Sequence, residues 1–259
     1  MSVLCSVIMA FSMFSKVPMP RIEWREESMQ YLFCAFPLVG VAVGLAFWGW
    51  YALCDWMDVG DVLYAAGCVA LPVLLTGGIH LDGFCDTVDA LSSYADREKK
   101  LEILKDPHIG AFAMIYTVVY FAVLLGVQAE LRDVPSLPWL FGTVCVLSRV
   151  VGGAATLALP NARTGGLAHT FSSGAQRVPA FAASFLWAAG SLFVAFRFGP
   201  VVPAHGLWIG LLVPSLIFPH MAKKQFGGMT GDLAGFLIQM SEMCMLLGIL
   251  LAHKMGGIL

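Results

Sequence analysis

The chain has 259 residues, of which 59% are hydrophobic and 12% charged, with a formal net charge of -2 and a mean hydropathy of +0.80. A soluble domain carries about 25% charged and 45–50% apolar residues, so a water-soluble globular fold is excluded. The near-neutral charge gives no footing for a nucleic-acid or other polyanionic partner, and seven cysteines scattered singly, without CxxC spacing, read as small apolar core residues rather than zinc or redox groups.

The opening stretch from Met1 to Ser15 is apolar but short for a span, and Lys16-Val17-Pro18-Met19-Pro20 follows it. It reads as an N-terminal helix lying in or dipping into the membrane interface. It has no basic residue before its apolar run and no small-residue cleavage site, so it is taken as part of the mature protein. Seven long apolar runs follow, near 31–53, 61–79, 110–131, 137–159, 179–198, 204–222 and 234–252, each close to the ~20 residues that cross a bilayer. The expectation is an all-α, polytopic membrane helix bundle of about seven transmembrane helices, a single integral membrane domain over residues 1–259.

Lys16, Arg21, Arg25, Arg97, Lys99, Lys100, Lys105, Arg163, Arg177, Lys223 and Lys224 fall in the N-terminal segment or in every second loop, against Arg132, Arg197 and Lys254 on the other side. The positive-inside tendency places the first group in the cytoplasm, with the N-terminus in and the C-terminus out. For a bacterium of the Gram-negative plan the location is the inner membrane. Arg149 and Glu242 lie inside spans, where charge is costly unless paired or lining a polar cavity, and structural pairing is the favoured reading.

Between the second and third spans lie seven of the 17 carboxylates: Asp82, Asp86, Asp89, Asp96, Glu98, Glu102 and Asp106. Asp96, Glu98 and Glu102 alternate with Arg97, Lys99 and Lys100 and read as surface pairs. Asp82, Asp86 and Asp89 are different, because offsets of four and seven residues stack them on one helical face and no basic residue occurs between His80 and Asp96. Hard oxygen ligands at this spacing suit Mg²⁺ or Mn²⁺, and Mg²⁺ commonly combines one or two carboxylates with substrate phosphate oxygens. The pattern reads as a diphosphate site, with His80 beside it.

Two further loops on the same face are rich in glycine. In Pro160-Asn161-Ala162-Arg163-Thr164-Gly165-Gly166, an arginine precedes two glycines that can bring backbone N–H groups close to a phosphate. Before the last span stands Lys223-Lys224-Gln225-Phe226-Gly227-Gly228-Met229-Thr230-Gly231-Asp232. Asp232 there is either a helix cap or a further ligand beside the acidic loop, and Asp106 is expected to cap the third span.

Gly77-Gly78-x-His80-Leu81-Asp82-Gly83-x-x-Asp86-Thr87-x-Asp89, then Leu101 to Asp106 with Ile109-Gly110, and later Gly227-Gly228-x-Thr230-Gly231-Asp232, resemble the cobalamin synthase, or adenosylcobinamide-GDP ribazoletransferase, family. The likeness runs over nearly the whole chain, from Lys16-Val17-Pro18-Met19-Pro20 and Phe36-Pro37-Leu38-Val39-Gly40 onward, with departures at Pro107, His108, Ala113 and Ala168. The resemblance implies an Mg²⁺-dependent membrane enzyme that joins adenosylcobinamide-GDP to α-ribazole, or its 5′-phosphate, and releases GMP.

On that reading Asp82, Asp86, Asp89 and Asp232 are the metal-ligand candidates, and Arg163, Gly227, Gly228, Thr230 and Lys105 contact phosphate. A ribose hydroxyl attacks the phosphorus on the cobinamide side, with Asp89, or else His80, as general base. The partner expectations are these small molecules, the bilayer, a homo-oligomer and other cobalamin-pathway enzymes. Three rivals fit the sequence less well. A CDP-alcohol phosphotransferase carries Ala-Arg after its first Asp-Gly where Phe84-Cys85-Asp86 stands here, and an aspartate-rich membrane prenyltransferase would want a second cluster where the final loop supplies only Asp232. An ion-coupled transporter binds its ion near mid-membrane between broken helices, whereas Asp82 to Asp89 are expected at a cytoplasmic helix end and no inverted repeat is visible.

Overall fold

The computed structural model describes residues 2–21 and 29–256; Arg25 lies outside the described residues. Among them the chain is all-helical, in the order α1 Ser2–Phe14, α2 Leu32–Trp56, α3 Asp61–Thr76, α4 Ile79–Ser92, α5 Arg97–Ile103, α6 Ala111–Leu131, α7 Leu137–Ala158, α8 Leu167–Gly174, α9 Arg177–Phe198, α10 Val201–Phe226 and α11 Gly231–Gly256. Helices are what an apolar solvent demands, since they satisfy every backbone N–H and C=O within one segment. Helices α2, α6, α7, α9, α10 and α11 are each long and apolar enough to cross a membrane.

The second expected span differs from the rest. The helix that hydropathy runs from 61 to 79 ends at Thr76, and α3 with α4 passes the same length test only as a pair bent by 97°. Gly77 and Gly78 cause the break, with left-handed φ of +67° and +77° that a side chain would disfavour. Helix α4 therefore turns away from the direction of α3 and packs against the first turns of α6 and α11.

Small residues bring the spans together, as is usual where no hydrophobic drive separates helix from lipid. A Cβ on Gly206 or Gly210 would run into the backbone of Gly248 or Cys244, so α10 and α11 lie in direct backbone contact. The apolar α1 packs on the bundle through buried Met9 and Ala10, which cluster with Leu32 and Phe33 of α2.

The basic residues sort to two ends. At the α4 end, the Lys16 stem lies against Gly77, Arg97 Nε donates to Phe226 O at 3.0 Å, Lys100 Nζ to Gln225 Oε1 at 2.6 Å and Arg163 Nη2 to Leu101 O at 2.8 Å. At the other end, Arg132 pairs with Asp61 at 2.7 Å and Lys254 with Glu130 at 2.7 Å. Within the bundle Arg149 and Glu242 pair with each other, as their position in the sequence suggested.

Candidate active site

Helix α4 carries His80, Asp82, Asp86 and Asp89. Two glycines fit it against α11. A Cβ on Gly83 would stand 2.6 Å from the backbone oxygen of Asp232, and one on Gly235 would stand 2.7 Å from that of His80. Only glycine permits so close an approach, and it is this contact that brings Asp232 to the acidic face of α4.

The resulting crowding is visible at Asp86. Partial burial, followed by the negative charges of Asp82, Asp232 and Asp89, pushes its carboxyl up to about 7. Desolvation and like charge both penalise the ionised form, and a hard divalent cation is the natural counter-charge for such an oxygen set. Among the described residues no three His, Cys, Asp or Glu side chains already stand close enough to hold a metal ion. A cation held here would take one or two of these carboxylates and complete its shell with substrate oxygens, the usual habit of Mg²⁺.

The four aspartates are not equivalent. Asp82 is exposed and Asp86 half-buried, whereas Asp89 leans on Gly110 and accepts a long, 3.4 Å hydrogen bond from Ala113 N–H in the first turn of α6. A carboxylate is favoured at a helix start, so Asp89 serves the position expected of Asp106. Asp106 instead accepts from the backbone N–H of His108 at 3.0 Å and pairs with its ring Nδ1 at 2.6 Å. Asp96 caps α5 by accepting from Lys99 N–H at 2.9 Å.

The capping alternative for Asp232 is also resolved. Thr230 Oγ1 accepts from Leu233 N–H at 3.2 Å and donates to Asp232 Oδ2 at 3.3 Å, so Thr230 is the cap of α11 and Asp232 stands in its first turn. Arg163 is the basic group whose charge acts on Asp232, and its Nε is buried without a hydrogen-bond partner among the described residues. Arg163, Gly165, Gly166, Thr230 and Asp232 line a cavity of about 170 Å³. A fork of guanidinium N–H groups beside a glycine-rich loop is suited to phosphate.

The remaining phosphate candidates sit elsewhere. Met229 N–H donates to Pro160 O at 2.7 Å and Ala162 N–H to Met229 O at 2.9 Å, a short parallel bridge that clamps the two glycine-rich loops together. A Cβ on Gly228 would strike the Pro160 carbonyl, and one on Gly227 the Arg97 guanidinium. These two glycines thus make room for the clamp, and neither lines the cavity. Lys105 is exposed after α5, outside the cavity lining.

His80 is 4% exposed. Burial, reinforced by the positive charge of Arg149, keeps its imidazole well below the usual range and hence neutral. It faces a second cavity shared with Phe14, Phe33, Phe36 and Phe171. Sequence reasoning missed those four rings because they come from α1, α2 and α8, and no local spacing links them.

The family profile described as cobalamin-5-phosphate synthase matches residues 6–250 of the chain. A protein of Lachnoclostridium phytofermentans named adenosylcobinamide-GDP ribazoletransferase is 36% identical over 248 residues, covering 96% of this chain and 94% of that protein. Proteins of the same name from Geobacillus thermodenitrificans, 33% identical with 91% of each chain covered, and Clostridium perfringens, 30% identical with 95% of this chain and 98% of that one covered, are similar along their length. No solved structure matches.

Proposed function

The chain belongs to the cobalamin-5-phosphate synthase family, and on that premise we propose that it works as an adenosylcobinamide-GDP ribazoletransferase, joining adenosylcobinamide-GDP to α-ribazole or its 5′-phosphate with release of GMP. The observation that carries this reading is the meeting of Asp82, Asp86 and Asp89 on α4 with Asp232 on α11, beside the Arg163 cavity. Such a site is suited to a diphosphate and a divalent cation.

On this reading Asp82, Asp86 and Asp232 would hold Mg²⁺, with Asp89 supporting them from the α6 junction. When bound, Mg²⁺ supplies charge neutralisation at the diphosphate as GMP leaves. Arg163 and the Gly165-Gly166 loop receive phosphate oxygens, and Thr230 fixes the first turn of α11 on which Asp232 stands. Of the two candidate bases for the attacking ribose hydroxyl, His80 faces a cavity and Asp89 faces α6. The pH dependence of turnover in His80→Gln and Asp89→Asn separates them.

The basic residues gathered at the α4 end support a cytoplasmic position for this face, and the inner-membrane location follows for a bacterium of the Gram-negative plan. Membrane-impermeant labelling of a cysteine placed at Lys105, in intact cells and in inverted vesicles, tests that orientation. The same reading includes a homo-oligomer and contact with other cobalamin-pathway enzymes, both accessible to crosslinking in native membranes.

The deciding experiment is GMP release by purified protein supplied with adenosylcobinamide-GDP, α-ribazole and Mg²⁺. Release that needs both substrates and the metal, and that disappears in Asp82→Asn, is expected. Release that continues in Asp82→Asn at limiting Mg²⁺ overturns the metal assignment, and none in lipid or detergent overturns the activity.

A further inference from the structure

Two cavities open onto Asp232. One is the Arg163 cavity; the other, of about 270 Å³, has Phe14, Phe33, Phe36 and Phe171 in its walls and His80 among them, with Asp82 and Asp232 at its polar edge. The Phe14 ring lies nearly parallel to the His80 imidazole at 6.2 Å, and the Phe36 ring meets it edge-on at 5.9 Å.

The imidazole is the anomaly. Both of its ring nitrogens are buried with no hydrogen-bond partner among the described residues, although buried polar groups are nearly always paired and unpaired burial is unfavourable. A neutral imidazole offers one N–H donor and one acceptor nitrogen. The cavity is therefore built for a flat, mostly apolar group with one or two hydrogen-bonding atoms.

We propose that this cavity is the subsite for the base of the acceptor nucleoside: a bicyclic dimethylbenzimidazole lies among the phenylalanines, its one free ring nitrogen accepts from His80, and its ribose emerges at Asp82 and Asp232. The inference rests on the ribazoletransferase reading and adds to it where the acceptor binds. Three features favour this occupant. Aromatic rings at these separations attract a further ring in offset or edge-on geometry. Guanine, the base of the donor, carries an amide N–H, an amino group and a carbonyl, and His80 alone would leave most of them unpaired. At about 270 Å³ the cavity lies just below the ~300–1,000 Å³ range of ligand pockets, which suits a nucleoside base and not a corrin macrocycle.

With the acceptor on one side of Asp232 and the diphosphate beside Arg163 on the other, the attacking hydroxyl and the phosphorus meet at the carboxylates. This arrangement separates recognition of the two substrates between two walls of one site.

The test uses the full-length protein in nanodiscs. Binding of α-ribazole is followed by its intrinsic fluorescence without donor or metal, and KM is measured for each substrate. Thr156→Leu narrows the cavity and Phe33→Leu removes one ring from its wall; His80→Phe, which removes the hydrogen bond while keeping a ring, is read by α-ribazole binding alone because His80 is also a candidate base. All three are expected to weaken α-ribazole binding about tenfold, the equivalent of one good hydrogen bond or a lost apolar contact, and the two wall variants to raise its KM as much with the KM for adenosylcobinamide-GDP unchanged. Should the variants raise the donor KM instead, the cavity takes guanine. If α-ribazole binds them as it binds the unsubstituted protein, the cavity takes some other group, such as a lipid tail. Either result overturns the subsite while GMP release continues. Absence of GMP release by the unsubstituted protein overturns the ribazoletransferase reading, and the subsite with it.

Discussion

Two charged groups in this bundle, one inside the spans and one at the α4 end, are handled in opposite ways. Inside the spans, Arg149 is 1% exposed and Glu242 9%. Glu242 Oε1 accepts from Arg149 and from Ser148 Oγ at 3.0 Å, and Arg149 Nη1 also donates to Cys145 O at 3.0 Å. At the bundle end, four aspartates crowd together, and Arg163 is the basic group that acts on one of them. The first region sets its two opposite charges against each other, as an architectural pair does, and leaves Arg149 Nε without a hydrogen-bond partner among the described residues. The second is left with surplus negative charge, which is what a site keeps in reserve for a cation and a ligand.

The sharpest way to break that comparison is to neutralise one member of each. Asp86→Asn is expected to lower GMP release about 10³-fold, since metal-ion stabilisation of transition-state charge is worth several kcal/mol and each 1.36 kcal/mol is a factor of ten. The thermal midpoint of the metal-free protein should stay the same or rise, because the substitution removes like-charge repulsion. Activity lost only together with stability would make the cluster structural.

Glu242→Leu should do the reverse. Removing one partner of a buried pair leaves an uncompensated charge and costs about 3–5 kcal/mol, whereas replacing both by apolar residues is often neutral. The single variant is expected to unfold at a clearly lower temperature in detergent. Arg149→Met with Glu242→Leu should recover most of the loss and retain GMP release. A stable but inactive double variant would move the pair from architecture into the site.

A smaller effect is expected where the regions are joined. Gly83→Ala inserts a methyl against the Asp232 backbone, 2.6 Å from its oxygen. Overpacking of this kind costs about 1–3 kcal/mol, and the helices must separate to relieve it. Mg²⁺ titration of GMP release should shift to higher concentration, with little change at saturating metal. An unchanged titration would mean that the four carboxylates do not act as one set.

Much of this was legible in the sequence, for physical reasons. Spans announce themselves by length and hydropathy, and the offsets of Asp82, Asp86 and Asp89 are local. What stayed hidden depends on contacts between distant segments or on competition between neighbours. Gly77 and Gly78 read as part of a motif, yet their left-handed backbone ends α3 early and turns α4 away from it. Asp89 and Asp106 both precede α6, and only packing decides which reaches its first turn. Gly227 and Gly228 resemble a phosphate loop but make room for a loop clamp. The aromatic cavity draws on six helices, a grouping that no window of sequence contains.

The mildest prediction concerns Thr230, where architecture and site share one hydroxyl. It accepts from Leu233 N–H as the cap of α11 and donates to Asp232 Oδ2. Thr230→Ala removes both, and loss of a cap costs about 1 kcal/mol. If Asp232 depended on Thr230 only through the fold of α11, stability would fall by that amount while the Mg²⁺ dependence of turnover stayed put. If the hydroxyl also orients the carboxylate, the Mg²⁺ requirement should rise by a few-fold, on the order of the tenfold lower bound for losing an outer-shell partner of a metal ligand. Thr230→Ser, which keeps the hydroxyl, should restore both. The expected outcome is the second, because Asp232 belongs to the surplus-charge region, where a carboxylate without a fixed partner must be held in place by its neighbours.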